Sequence, residues 1–122
     1  MKEIVQKYIN AYNNFDIETM VSLMHNDCIY EGKTKGIQSF CIKGKHSFRQ
    51  INMLSKNNYT FRKQVIEGFI ESMNKVEVNL YFKAILAVDV SELGKKGEEI
   101  AFETKSVFEF KNGLIYKLTN LD

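Results

Sequence analysis

Hydrophobic and polar residues alternate along residues 75–90, KVEVNLYFKAILAVDV: Val76, Val78, Leu80, Phe82, Ala84, Leu86 and Val88 take every second position. Period 2 over that length predicts a β-strand with one buried face, because successive side chains leave a strand on opposite sides. At about 3.3 Å per residue such a strand runs roughly 50 Å, where roughly 5–6 residues is usual. In a small domain it must twist and bend to stay on the core. The pattern therefore predicts a strongly curved sheet with a concavity.

The other elements follow from the same reading. Over 1–14, Ile4, Val5, Tyr8, Ile9 and Tyr12 form one apolar stripe, which predicts a helix. Asp16 is a good N-cap for a second, short helix that buries Ile17, Met20, Val21 and Met24 and ends near residues 25–27. Residues 28–34 and 36–43 read as two strands around a Lys35-Gly36 turn, and 46–55 as a third helix with Phe48 and Ile51 inward. Within 59–73 the apolar residues change face. Phe61 and Val65 share one parity, Ile66 and Ile70 the other, and Phe69 returns to the first, which predicts a bulge near Gly68. A polar loop over 91–97 leads to a long strand over 99–111. Asn112-Gly113 is a strong hairpin signal before the last strand, 114–121. Helices come first and an antiparallel meander follows. The class is α+β: one domain over 1–122, a curved antiparallel sheet wrapped around N-terminal helices.

Composition narrows the function classes. Hydrophobic residues make up 44% and charged residues 26%, ordinary for a globular chain, so disorder is not the default. No apolar run approaches the ~20 residues of a membrane helix, so no membrane partner is expected. The opening MKEIVQKY lacks the apolar core of a signal peptide, so the expected compartment is the cytoplasm. The formal charge of +2 keeps a protein soluble but is not the footprint of a nucleic-acid binder. Cys28 and Cys41 fit reduced thiols, and whether they pair depends on geometry.

Several stretches resemble a known group. Tyr8-x-x-Ala11, then Asp16-Ile17-x-x-Met20-Val21-x-x-Met24-x-x-Asp27, is similar to the opening of the nuclear-transport-factor-2-like superfamily, which includes SnoaL-like polyketide cyclases and ketosteroid isomerases. Gly44 before a helix with Phe48, and the ending Phe108-x-Phe110-x-x-Gly113-x-Ile115, resemble the same group. The resemblance covers nearly the whole chain and implies a cone-shaped, cystatin-like fold with a pocket. It also implies a homodimer through the outer sheet face. It does not settle function, which varies widely on this fold. In ketosteroid isomerases a tyrosine of the first helix donates to an oxyanion, and Tyr8 matches it. The position of their catalytic Asp is Gly32 here, with Glu31 beside it, and their second oxyanion donor falls near Ser106. A one-residue shift reverses the face, so Glu31 is no substitute, and steroid isomerisation is not expected. In the polyketide cyclases an aspartate near the end of the final strand is an acid/base, and Asp122 lies in a similar place.

The inward pattern places Phe82, Phe102, Thr104, Ser106 and Phe108 on the concave face, with Tyr8, Tyr12, Phe48 and Asn120 expected to complete a pocket lining. An apolar cavity with few polar groups suits a small hydrophobic, polyketide- or steroid-like molecule. The bland alternative is a closed core whose hydroxyls bond to backbone. Tyr8, Asp122 and His46 are the candidates for catalysis. His46 has a suitable pKa range but sits at a helix start, where a surface role is common. His25, Asp27 and Cys28 are ligand types, but their spacing fits no closed site, so no metal and no cofactor are expected. Gly32-Lys33-Thr34 lacks the glycine and the helix of a phosphate-binding loop. On the outer face Tyr81, Ile85, Ala87 and Val107, with Ile66 and Ile70, form an apolar centre within a charged rim, which predicts a homodimer. The second hypothesis is thus a non-catalytic dimerisation or association module.

Overall fold

Burial along Lys75–Leu86 alternates without a break: Val76, Val78, Leu80, Phe82, Ala84 and Leu86 are all buried. This strand, β4, lies in a computed structural model that describes residues 1–122. The other elements are α1 (Lys2–Asn13), α2 (Ile17–Ser22), β1 (Met24–Thr34), β2 (Ile37–Lys43), α3 (Lys45–Ser55), β3 (Tyr59–Ser72), β5 (Glu99–Lys111) and β6 (Leu114–Leu121). One six-stranded sheet has the order β2-β1-β6-β5-β4-β3. Neighbours are antiparallel except β1 and β6, which run parallel. That pair is far apart in sequence, so no hairpin dictates its direction.

The helices cover one face of the curved sheet. Val5, Tyr8 and Ile9 of α1 and Met20 and Val21 of α2 share a core with Val78, Leu80, Phe108, Ile115 and Leu118. Asp16 caps α2, its carboxylate accepting from Thr19 N (3.1 Å) and Thr19 Oγ1 (2.6 Å). Leu23 interrupts that helix earlier than the pattern predicts. Its carbonyl accepts from Ile115 N (2.9 Å), which draws Met24 into the sheet as the start of β1.

Two further expectations are corrected. The strand predicted over 75–90 ends at Leu86. There Leu86 N donates to Glu98 O (3.0 Å), Gly97 N to Leu86 O (2.8 Å), and Ala87 N turns away to Asn58 O (2.7 Å). Val88 continues the alternation in sequence but has no strand to pair with and is exposed. Ile66, expected outward with Ile70, faces inward opposite Leu80, whereas Ile70 lies outward opposite Glu77. The register shift between Ile66 and Gly68 is the bulge that separates their faces. Both cysteines are free, Cys28 buried and Cys41 exposed. No helix is long and apolar enough to cross a membrane.

Candidate functional site

A cavity of about 240 Å³ opens between the end of α1, α3 and the concave face of the sheet. Its apolar walls are all aromatic: Tyr12, Tyr30, Phe40, Tyr59, Phe82 and Phe102. The rings hold one another edge-on. Tyr30 meets Phe40 at 5.0 Å and Phe48 at 5.4 Å between centroids, and Phe82 meets Tyr59 at 5.8 Å. Such contacts fix ring planes that a looser aliphatic lining would not.

A polar string crosses this aromatic lining. Ser106 and Asn120 are opposed on β5 and β6, and Ser106 Oγ donates to Asn120 Oδ1 (2.9 Å). Asn120 Nδ2 in turn donates to the Tyr30 hydroxyl (3.1 Å). Tyr30 therefore spends a lone pair on the chain and keeps its proton to give. Burial pushes the Tyr30 phenol up, with the Asn120 bond opposing, and it stays protonated at neutral pH. Burial likewise raises Tyr12 and Tyr59, against the pull of the Arg62 charge. Thr104 also lines the cavity, but its hydroxyl bonds to Leu121 O (3.0 Å).

Arg62 lies behind Tyr12. It is 2% exposed, and no carboxylate pairs with it. Nε donates to Tyr12 O (2.8 Å), and the guanidinium carbon stands 3.7 Å from the Tyr12 ring centre and 4.5 Å from that of Phe15. Nη2 has no partner, and neither does the buried Oε1 of Gln64, a cavity-lining residue two positions on. The Gln64 backbone is pinned by Asn13, whose Oδ1 accepts from Gln64 N (2.7 Å) and whose Nδ2 donates to Gln64 O (3.0 Å).

The residues expected to share a pocket separate into two sets. Tyr12, Phe82, Phe102, Thr104, Ser106 and Asn120 face the cavity, and Asp122 stands exposed at its rim. Tyr8, Phe48 and Phe108 pack in the core instead. The Tyr8 ring lies 5.4 Å from Phe108 and 6.5 Å from Phe48, and burial pushes its phenol well up. His46 is exposed on the first turn of α3, away from the cavity. Tyr30, Tyr59, Phe40, Gln64 and Arg62 were not picked out by pattern. Arg62 shares the inward face of β3 with Gln64 and Ile66, the face that the sequence pattern assigns outward. His25 Nδ1 accepts from Asp27 N (3.0 Å), and no three His, Cys, Asp or Glu side chains converge as metal ligands would.

The position of the ketosteroid isomerase carboxylate is also occupied. Gly32 faces the cavity opposite Asn120, and a Cβ there would collide with Phe40 Cε1 and lie 2.8 Å from its Cδ1. Glu31 points to the convex face opposite Thr119. It is 4% exposed and accepts from Gln38 Nε2 (2.8 Å) and Thr119 Oγ1 (3.0 Å), with Lys117 Nζ at 3.3 Å.

The sequence profile of the SnoaL-like domain matches residues 5–118. The chain belongs to the SnoaL-like domain family. It is thereby a member of the nuclear-transport-factor-2-like superfamily, and solved structures agree on the fold. A candidate SnoaL-like polyketide cyclase from Jannaschia sp. CCS1 is 10% identical with TM-score 0.82, over 97% of this chain and 81% of that one. A protein of ketosteroid isomerase-like fold from Catenulispora acidiphila, in complex with trimethylamine, is 11% identical with TM-score 0.79, over 97% and 83%. An epoxide hydrolase of the LEH-like type from M. tuberculosis is 18% identical with TM-score 0.75, over 98% and 79%. No curated protein matches the chain. The cavity lining of this SnoaL-like domain holds no carboxylate or imidazole except Asp122 at the rim.

Proposed function

We propose that this SnoaL-like domain binds a small planar molecule, apolar in its ring and carrying an oxygen that Tyr30 meets. The observation that carries the reading is the Ser106–Asn120–Tyr30 string within aromatic walls, which leaves the Tyr30 phenol proton free for a ligand acceptor. A volume of about 240 Å³ is below the roughly 300–1,000 Å³ of sites for drug-sized ligands. One or two fused rings fit that space better than a steroid. The polyketide chemistry of the family's cyclases agrees with a ring-bearing carbonyl compound as the ligand class.

If the domain turns its ligand over, the roles follow from position. Tyr30 would stabilise negative charge on a carbonyl oxygen, and Asp122 at the rim would move a proton from the neighbouring carbon. No metal enters this scheme. Binding without turnover is the simpler role, because Asp122 is exposed and a carboxylate works best as a base when desolvated. The test is a thermal-shift panel of planar aromatic ketones, acids and amides against aliphatic compounds of equal size. The planar compounds should raise Tm, and Tyr30→Phe should reduce that shift without lowering the unliganded Tm by more than a few degrees. A panel with no shift, or a Tyr30→Phe variant that responds as the wild type does, contradicts the reading.

A second reading concerns assembly. Phe61, Val65, Ile70 and Tyr81 are exposed together on the convex side of β3 and β4, Val65 directly opposite Tyr81. This strip supports a homodimer through the outer sheet face, burying on the order of 800 Å² per subunit. It is compatible with ligand binding on the opposite face.

A further inference from the structure

Charge inside the molecule is distributed unevenly between the two faces of the sheet. The one buried carboxylate, Glu31, is on the convex side, already met by Lys117, Gln38 and Thr119. The one buried cation, Arg62, is on the concave side and has no anion at all. Transferring an isolated charge out of water is costly, and natural chains pair such charges or hydrogen-bond them fully. Here the Tyr12 and Phe15 ring faces and the Tyr12 carbonyl offset part of that cost, while Nη2 stays unmet. The Tyr12 ring that the guanidinium faces at 3.7 Å is itself part of the cavity wall. Next to it on the wall, Gln64 Oε1 is also buried and unmet, which leaves the amide Nε2 as the donor that Gln64 can offer to the cavity.

We propose that the cavity selects a resonance-stabilised organic oxyanion (a carboxylate, enolate or phenolate on a planar frame) over its neutral or cationic counterpart, with Arg62 supplying the missing positive field. This rests on the binding role proposed above and adds the ligand's charge to it. Arg62 acts through Tyr12 rather than by touching the ligand, so it is a positioning and field-setting residue. Its charge polarises the Tyr12 hydroxyl and, across one ring, favours negative charge in the cavity. At an effective dielectric of about 20, an unpaired unit charge within about 12 Å is worth a preference of roughly tenfold or more. Tyr30, with its own proton free, and Gln64 would complete the recognition of the oxyanion. The only opposing charge at the cavity is Asp122, which is exposed at the rim and screened by water.

The test uses three probes of similar or smaller size on the intact chain: benzoate, benzamide and trimethylammonium. Each is titrated at neutral pH and constant ionic strength, and binding is followed by amide chemical shifts of Gly32, Gln64 and Asn120. Benzoate should bind at least about tenfold more tightly than benzamide, and trimethylammonium should not perturb these amides. Arg62→Met should bring benzoate affinity down to that of benzamide, and Arg62→Lys should keep a preference for benzoate. Should the Met variant fail to fold, the Lys variant and the wild-type ratio still decide. Equal affinity for benzoate and benzamide, tighter binding of trimethylammonium, or an Arg62→Met variant with unchanged preference overturns the charge selection while leaving the pocket reading standing. Binding by none of the three at these amides overturns both.

Discussion

Gly32 and Glu31 are neighbours in the chain and face opposite ways, and each has a measurable consequence. At Gly32 the space for a side chain is taken by the Phe40 ring. Gly32→Asp should therefore cost roughly 1–3 kcal/mol in urea denaturation through overpacking. Phe40→Ala in the same chain should recover part of that loss, a non-additivity that an uncrowded position would not give. Glu31 is held below the usual carboxylate range, first by the Gln38 bond, then by Thr119 and Lys117, with burial opposing. Its folded pKa is thus lower than its unfolded one. The stability it supplies is complete above the unfolded pKa and is lost as pH falls through the folded one. Glu31→Gln should cost about 1 kcal/mol at neutral pH, and the difference from wild type should shrink on acidification below about pH 4. A difference that grows in acid would contradict the assignment. Period 2 is why the opposite facing of these two residues was legible in sequence. The unpaired Arg62 was not, because hydropathy reads an arginine as exposed and cannot foresee two aromatic faces closing over it.

The meander was legible at the scale of elements for a similar reason. β5 and β6 begin and end where the pattern places them, because Asn112-Gly113 sets the turn between them. Asn112 at φ 54° and Gly113 at φ 77° both adopt the left-handed conformation that a two-residue hairpin requires. Gly113→Ala should accordingly lower stability by roughly 1–2 kcal/mol, measured by urea denaturation. No neighbouring atom lies where its Cβ would go, so the loss would come from backbone conformation rather than crowding. Element ends governed by tertiary partners were less visible. β4 stops at Leu86 because Gly97 and Glu98 close the ladder there, and α2 stops at Ser22 because Leu23 bonds to Ile115. Neither event leaves a mark in the local alternation. The cavity shows the same limit. Tyr30 and Tyr59 come from β1 and the start of β3, whose patterns are short or broken, whereas Phe82, Ser106 and Asn120 come from the strands that alternate cleanly.

For the whole molecule, each face of the curved sheet carries its own prediction. The convex strip around Val65 and Tyr81 should hold two copies together. Light scattering at high protein concentration should give a dimer mass, and Val65→Glu should give a monomer that keeps its fold; a wild-type monomer at high concentration would remove that assembly. On the concave face, a ring-bearing molecule is expected to occupy the space between Tyr30, Tyr59 and Phe102. Diffraction from crystals soaked with small planar aromatic carbonyl compounds tests this most directly. Ligand density should appear within the cavity, with the ligand oxygen in hydrogen-bond reach of the Tyr30 hydroxyl. Density found only on the outer surface, with the cavity closed by its own side chains, would contradict it.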